Sequence, residues 1–203
     1  MIVIGLTGGI GTGKSEVARI LQELGAVIID ADRVGHQAYT PHTEIWEEVV
    51  KAFGREILQP SGEIDRKKLG GIVFSDSEQL TRLNQIMHPR MARMVAEQIE
   101  QLRAEGVAVV VLEAAVLLEA GWDSLVDEVW STQSPDDAVA QRLMARNGWS
   151  REEVLKRIGS QMSAQERAAR SQVVIDNSGD LAALEGAVKS QWDSRVQEKV
   201  GKV

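Results

Sequence analysis

Gly8-Gly9-Ile10-Gly11-Thr12-Gly13-Lys14-Ser15 is the stretch from which the rest of this chain is read. Its spacing, G-x-x-x-x-G-K-[ST], falls between an apolar run, Ile2 to Leu6, that predicts a strand and a stretch, Glu16 to Leu24, that predicts a helix. Strand, glycine-rich loop and helix in that order make a phosphate-binding loop. A phosphate chain carries several negative charges, and such a loop holds them with backbone N–H groups turned inward, glycine supplying the positive φ angles. The helix that begins near Gly13 adds unpaired amides and the positive end of its dipole. Lys14 is expected to reach the β- and γ-phosphates of a nucleotide, and Ser15 to ligate Mg²⁺.

Composition narrows the class. The 203 residues fit one α/β domain with small inserted lobes, and a hydrophobic fraction of 43% supplies a core. The absence of cysteine excludes a disulfide framework and a thiolate metal site, and suits a reducing, cytoplasmic setting. Met1-Ile2-Val3-Ile4-Gly5 lacks a basic leader and reads as a core strand, not a signal peptide. No apolar run is long enough to span a bilayer. A net charge of -7 argues against nucleic acid as the partner. Positive charge is nevertheless crowded into one segment, through Arg142, Arg146, Arg151, Lys156, Arg157, Arg167 and Arg170, which suits a small anionic substrate. The five tryptophans are scattered without a repeat and read as core or interface packing.

Further along, Ala26 to Asp30 predicts a second buried strand ending in Asp30-Ala31-Asp32-Arg33. Ligands of an open parallel sheet bind beyond the carboxyl ends of its strands, so these acids are candidates for chemistry. Asp30 reads equally as a cap for the helix from Ala31 towards Tyr39, whereas Asp32 reads as a base or a Mg²⁺ partner. A helical period spans Glu44 to Phe53, and Asp65 caps a short helix that Gly70-Gly71 should end. A long helical stretch, Ser77 to Glu105, should kink or restart at His88-Pro89-Arg90. His88 is the distinctive polar residue of this helical lobe.

Val107 to Glu113 is a nearly unbroken β-branched strand, which suggests a parallel sheet covered on both faces. Its terminal acid, Glu113, is placed as a Mg²⁺ ligand or as a solvated strand end. Glu128 to Thr132 predicts a further strand, and Ser134-Pro135 the cap and first residue of a helix bearing Arg142 and Arg146. Ser150 to Glu153 opens another with a capping box, carrying Arg157 and Gln161. This arginine-rich hairpin reads as a charged surface or as a lid that closes over phosphates. Gln172 to Asp176 forms the last strand, whose exit is expected beside the first strand, and Asp180 caps a closing helix through Val200.

Taken together, Leu6 to Ser15, Ile29-Asp30-Ala31-Asp32, His88-Pro89, Leu117-Leu118-Glu119, Arg142-Leu143-Met144-Ala145-Arg146, Arg157-Ile158-Gly159-Ser160-Gln161 and Val174 to Gly179 resemble the dephospho-coenzyme A kinase family along nearly the whole chain. The resemblance implies a P-loop NTPase fold, α/β, with a three-layer α/β/α parallel sheet, a helical substrate-binding lobe and a lid. Residues 1–203 would form one kinase domain, with its core at about 1–31, 106–134 and 171–203, its CoA-binding lobe at about 32–105 and its lid at about 135–170. It implies transfer of the γ-phosphoryl group of ATP, with Mg²⁺, to the ribose 3′-hydroxyl of dephospho-CoA.

Carried over by position, Gly11, Thr12, Gly13, Lys14, Ser15 and Glu16 bind ATP, with Arg146, Asp176 and Asn177 on the nucleotide side. Lys14, Asp32 and Arg142 are the catalytic candidates. Asp32, His88, Arg142 and Gln161 face the substrate, and Ser15 takes Mg²⁺ with Glu113 as a further candidate. A small-molecule substrate, no nucleic acid, no membrane, and a cytoplasmic monomer or weak homo-oligomer complete the expectation. Two departures stand out: Glu113-Ala114-Ala115-Val116-Leu117 replaces the family's frequent Asp-x-Pro-Leu-Leu, and Glu16 stands where Thr is usual. The alternatives are a kinase for another nucleoside or nucleotide and a GTPase-like switch. For the latter, Asp32-Arg33-Val34-Gly35 matches D-x-x-G but follows the wrong strand, and no N-K-x-D motif occurs.

Overall fold

The apolar run after Met1 forms β1 (Ile2–Gly8), buried at every position, in the computed structural model, which describes residues 1–197 and 199. The loop leads into α1 (Lys14–Glu23), then β2 (Val27–Asp30) and α2 (Ala31–Ala38). After α3 (Glu44–Phe53), α4 (Arg66–Val73) and α5 (Ser77–Ala104) the chain returns to the sheet as β3 (Val109–Glu113) and β4 (Glu128–Gln133). Helices α6 (Asp136–Asn147), α7 (Arg151–Gly159) and α8 (Ala164–Ala169) precede β5 (Val173–Asp176) and α9 (Leu181–Gln191), which continues into a wider π-helical segment, Trp192–Gln197. The expected end of this last helix, Val200, lies outside the described residues.

The five strands run in the order β2-β3-β1-β4-β5. β1 pairs in parallel with β3, Ile4 opposite Val111, and with β4, Leu6 opposite Trp130. β5 pairs in parallel with β4. The last strand is therefore not beside the first, because β4 intervenes. On one face Ile2, Ile4 and Leu6 pack with Val17, Ile20 and Leu21 of α1 and with Leu184 and Val188 of α9. On the other, a Cβ on Gly5 would meet Leu117 at 2.7 Å and Val126 at 3.0 Å, so the segment after β3 lies close against the sheet. Helices flank the parallel sheet, as expected for a P-loop α/β fold.

Two compact units emerge: residues 1–29 with 99–203, and residues 30–98. The second has its own core of Ile45, Val49, Phe53, Leu69, Val73, Leu83 and Met87. The helix break expected at Gly70-Gly71 does not occur, nor does the restart expected at Pro89. Gly70 and Gly71 lie within α4, since Leu69 and Val73 anchor it on either side and the Gly70 carbonyl still accepts from the Phe74 amide at 2.9 Å. Pro89 lies within α5. There the Arg90 guanidinium donates to the Ile86 carbonyl at 3.0 Å, serving an acceptor in the turn beside the proline, while its other arm engages Glu48. The segment Asp32 to Gly35 is helical within α2, where a D-x-x-G switch needs a loop. None of the described helices is long and apolar enough to cross a membrane.

One buried charge braces the base of the sheet unit. Glu128, at the start of β4, accepts from Arg195 at 2.9 Å, Lys199 at 2.5 Å and the Trp130 indole at 3.2 Å. Burial alone would push its carboxyl up, but those donors override it and hold the pKa at about 2. In the unfolded chain the group returns to about 4.3, so its stabilisation is complete above that pH and is lost as pH falls towards the folded value. Because both cations are partly exposed, Glu128→Gln is expected to cost roughly 2 kcal/mol at neutral pH, less than the full linkage value. Urea unfolding should show the gap between wild type and variant closing below about pH 4.

Candidate active site

Residues at the carboxyl ends of β1, β3 and β4 and the turn after β5 converge on the glycine-rich loop. Gly8 closes β1 where a Cβ would stand 2.1 Å from the Thr132 hydroxyl, too near for any side chain. Thr12 donates to the Gly9 carbonyl at 2.8 Å, which folds the loop back on itself, and so accepts from the Thr132 hydroxyl at 2.7 Å. Gly13 is the N-cap of α1 with φ 95°, and no side chain caps the helix. A Cβ there would lie 2.0 Å from Asn177 Nδ2, which donates to the Thr12 carbonyl at 2.9 Å. The first amides of α1 are thus left without a side-chain acceptor, as an anion site requires.

Lys14 and Ser15 meet one oxygen of Glu113. Lys14 Nζ is 2.8 Å and Ser15 Oγ 3.0 Å from Glu113 Oε1. An ammonium, a hydroxyl and a carboxylate at one point, beneath an uncapped helix end, form a donor set suited to a phosphate and a hard cation. Among the described residues no group of three or more His, Cys, Asp or Glu is arranged to hold a metal. A cation here would draw one or two oxygens from the chain, and the rest from phosphate and water.

The other sequence candidates fall into three groups. Gln161 and Asn177 touch the loop directly: Gln161 Oε1 accepts from the Ile10 amide at 2.8 Å, and Asn177 is buried against Thr12. Arg142 stands over the Asn177 turn, its Nη1 donating to Ser134 Oγ and its Nη2 to the Asn177 carbonyl, both at 2.9 Å. That engages Ser134, so Pro135 and not Ser134 is the N-cap of α6, and no side chain caps it. Arg146 bonds Asn147 at 3.0 Å on the exposed end of α6. Glu16 turns to Arg19 at 2.8 Å, and Asp176 closes a turn onto the Ser178 amide at 3.1 Å and hydroxyl at 2.9 Å.

The third group belongs to the other unit. Asp30 is a cap: its carboxylate accepts from the Asp32 amide at 2.8 Å and the Arg33 amide at 3.3 Å. Asp32 is exposed in the first turn of α2, just beyond β2. His88 is half-buried on α5.

The residues 135–170 are attached to the loop by packing as well as by Gln161. Val139, Ala140 and Leu143 of α6 and Val154 of α7 cluster with Ile10. A cleft of about 280 Å³ opens beside the loop, lined among others by Gly9, Ile10, Thr132, Ser134, Gln161 and Arg167. Sequence reasoning gave Thr132, Ser134 and Glu119 no role here, and took Arg167 only as one of the crowded cations suited to an anionic substrate. Thr132 carries a signal in hindsight, as the hydroxyl at the carboxyl end of the predicted strand Glu128 to Thr132. Arg167 carries only its place in the basic stretch and the Ser163–Glu166 capping box that starts its helix. A larger cavity, about 440 Å³, lies at the opposite ends of the strands, against Ile2, Ala108 and Asp127, away from these groups.

Comparison with known proteins identifies the family. A family model described as dephospho-CoA kinase matches residues 2–183. A dephospho-CoA kinase of Geobacter sulfurreducens is 47% identical over 195 residues, which is 96% of this chain and 99% of that protein. The solved dephospho-CoA kinase from Campylobacter jejuni matches with a TM-score of 0.72 at 26% identity, covering 97% of this chain and 98% of that one. Shikimate kinase from Bacteroides thetaiotaomicron, at 16% identity and a TM-score of 0.55 over 95% of this chain and 97% of that one, shares the fold alone.

Proposed function

The chain belongs to the dephospho-CoA kinase family, and on that premise we propose that it moves the γ-phosphoryl group of ATP to the ribose 3′-hydroxyl of dephospho-CoA, the step that completes coenzyme A. The observation that carries this reading is the meeting of Lys14 and Ser15 at Glu113 beneath the uncapped start of α1. It is a phosphate cradle with its cation and its metal-facing hydroxyl already gathered.

Phosphoryl transfer asks little covalent chemistry of a protein, so positioning and charge neutralisation do most of the work. The loop amides and the α1 terminus hold the phosphate chain, and Lys14 leaves Glu113 to meet the β- and γ-phosphate oxygens. Mg²⁺, when bound, offsets phosphate charge, and Ser15 and Glu113 are the residues that would hold it. Asp32 orients the ribose hydroxyl and takes its proton as the oxygen bonds to the γ-phosphorus. The bond from that phosphorus to the β–γ bridging oxygen breaks, and its electron pair leaves with ADP. Asn177, with Arg142 above it, forms the wall on the base side of the nucleotide. Residues 30–98 serve as the lobe for the CoA moiety, His88 included, and residues 135–170 as a lid docked on Ile10.

The test is acceptor choice. Turnover with dephospho-CoA should exceed that with adenosine, AMP or shikimate by on the order of a hundredfold, the scale at which a site built for a larger acceptor discriminates. Equal turnover with adenosine would make the chain a nucleoside kinase.

A further inference from the structure

The basic residues between 142 and 170 look alike in sequence, yet their surroundings differ. Arg151 pairs with Asp137 at 2.7 Å, Arg157 lies 4.1 Å over the Trp149 ring, and Arg170 reaches Asp123 at 3.2 Å. Arg142 and Arg146 have the partners described above. Lys156 is exposed to solvent, whereas Arg167 is buried. Its side chain is 5% exposed, and among the described residues its one carboxylate neighbour, Glu119 Oε1, stands 3.7 Å from Nη2, beyond hydrogen-bond range. Its buried Nε has no hydrogen-bond partner among the described residues.

Such an arrangement is expensive for the folded chain. Burial pushes the guanidinium below its ordinary pKa and Glu119 only partly opposes this, although an arginine keeps its proton at any physiological pH. A buried cation with donors left over is destabilising unless an anion arrives to fill them. Arg167 is also held in place: a capping box, Ser163 with Glu166, fixes the start of α8, and the Arg167 carbonyl accepts from Ser171 at 2.7 Å. The group is pre-positioned, as an electrostatic catalyst must be.

Its position names the anion. Arg167 lines the cleft beside the loop, and its Nη1 is 3.6 Å from where a Cβ on Gly9 would stand. Gly9 is at the strand end of the loop, the end remote from α1. The helix terminus takes the inner phosphates, which leaves the Gly9–Ile10 end for the terminal one.

Resting on the reading that this loop binds ATP, we infer that Arg167 is a catalytic residue whose unfilled guanidinium donors grip the γ-phosphoryl oxygens before and during transfer, with Glu119 orienting it. It adds a fixed cation on the side of the phosphoryl group opposite the helix. It also gives the site a means to tell ATP from ADP.

The experiment compares wild type with Arg167→Gln and Arg167→Lys in titrations with MgADP and with a non-hydrolysable MgATP analogue, followed by turnover with dephospho-CoA. For Arg167→Gln the inference expects MgADP affinity within about threefold of wild type, analogue affinity reduced about tenfold or more, and kcat reduced on the order of a hundredfold. Arg167→Lys should show the same selective loss, smaller in size, because it keeps the charge but not the planar fork. Equal weakening of both nucleotides, or an unchanged preference with normal kcat, would overturn the inference. If Arg167→Gln fails to fold, the preference and kcat of Arg167→Lys decide it by the same criteria. Failure of the wild type to bind the analogue would instead sink the reading of the loop, a result that does not depend on either variant.

Discussion

Lys14→Ala is expected to lower kcat for phosphoryl transfer by on the order of a hundredfold to a thousandfold, the range for removing one electrostatic group from a preorganised site. The loop amides would remain, so residual turnover should survive. A second effect must be separated from the first. Lys14 and Glu113 are both largely buried, at 16% and 13% side-chain exposure, and alanine leaves the carboxylate without its ammonium. That is expected to lower stability by about 1–3 kcal/mol, the cost of an unsatisfied buried polar group. Adding Glu113→Gln should recover most of the lost stability without restoring kcat. Thermal melting and steady-state assays on the single and double variants read the two effects independently, and near-normal turnover in Lys14→Ala would remove the lysine from the mechanism.

Asp32→Asn is the second large effect, a fall in kcat of about a hundredfold or more, within the range of acid–base groups. The change conserves shape. The Asp32 amide, not its side chain, is what Asp30 caps, and the side chain is exposed, so stability should move by no more than about 0.5 kcal/mol. A folded variant with intact ATP affinity, little change in KM and depressed kcat is the expected combination. Normal kcat in Asp32→Asn would transfer the base role elsewhere.

What could be read from residue order alone follows from the range of the interactions involved. The loop was legible because its chemistry is local: glycines at the tight positions, a lysine and a serine, each needed for a reason visible within eight residues. Strands β1 and β3 were legible because burial on both faces leaves an unbroken apolar run. Strand order was not, since pairing of β4 between β1 and β5 joins segments far apart in the chain. The break expected at Gly70-Gly71 was overridden by buried anchors, a tertiary effect on local propensity, and α5 continues through Pro89 without a restart.

The site divides the same way. Lys14, Ser15 and Glu113 were named from pattern, and they come together at one carboxylate oxygen. Gln161 was named for the substrate, and its side chain accepts from the loop amide of Ile10. Arg142 was named for phosphates and is engaged by Ser134 and the Asn177 carbonyl. Arg167 was one cation among seven in a charged stretch. Only its burial and the Nε left without a hydrogen-bond partner among the described residues distinguish it, and neither property is written in a one-letter code.

The product itself offers the most direct measurement. Incubation with ATP, Mg²⁺ and dephospho-CoA, followed by proton-coupled phosphorus NMR of the purified product, should show one new phosphate coupled to the ribose 3′ proton, formed mole for mole with ADP. ADP release without a new ester, or a phosphate coupled to a different carbon's proton, would contradict the account.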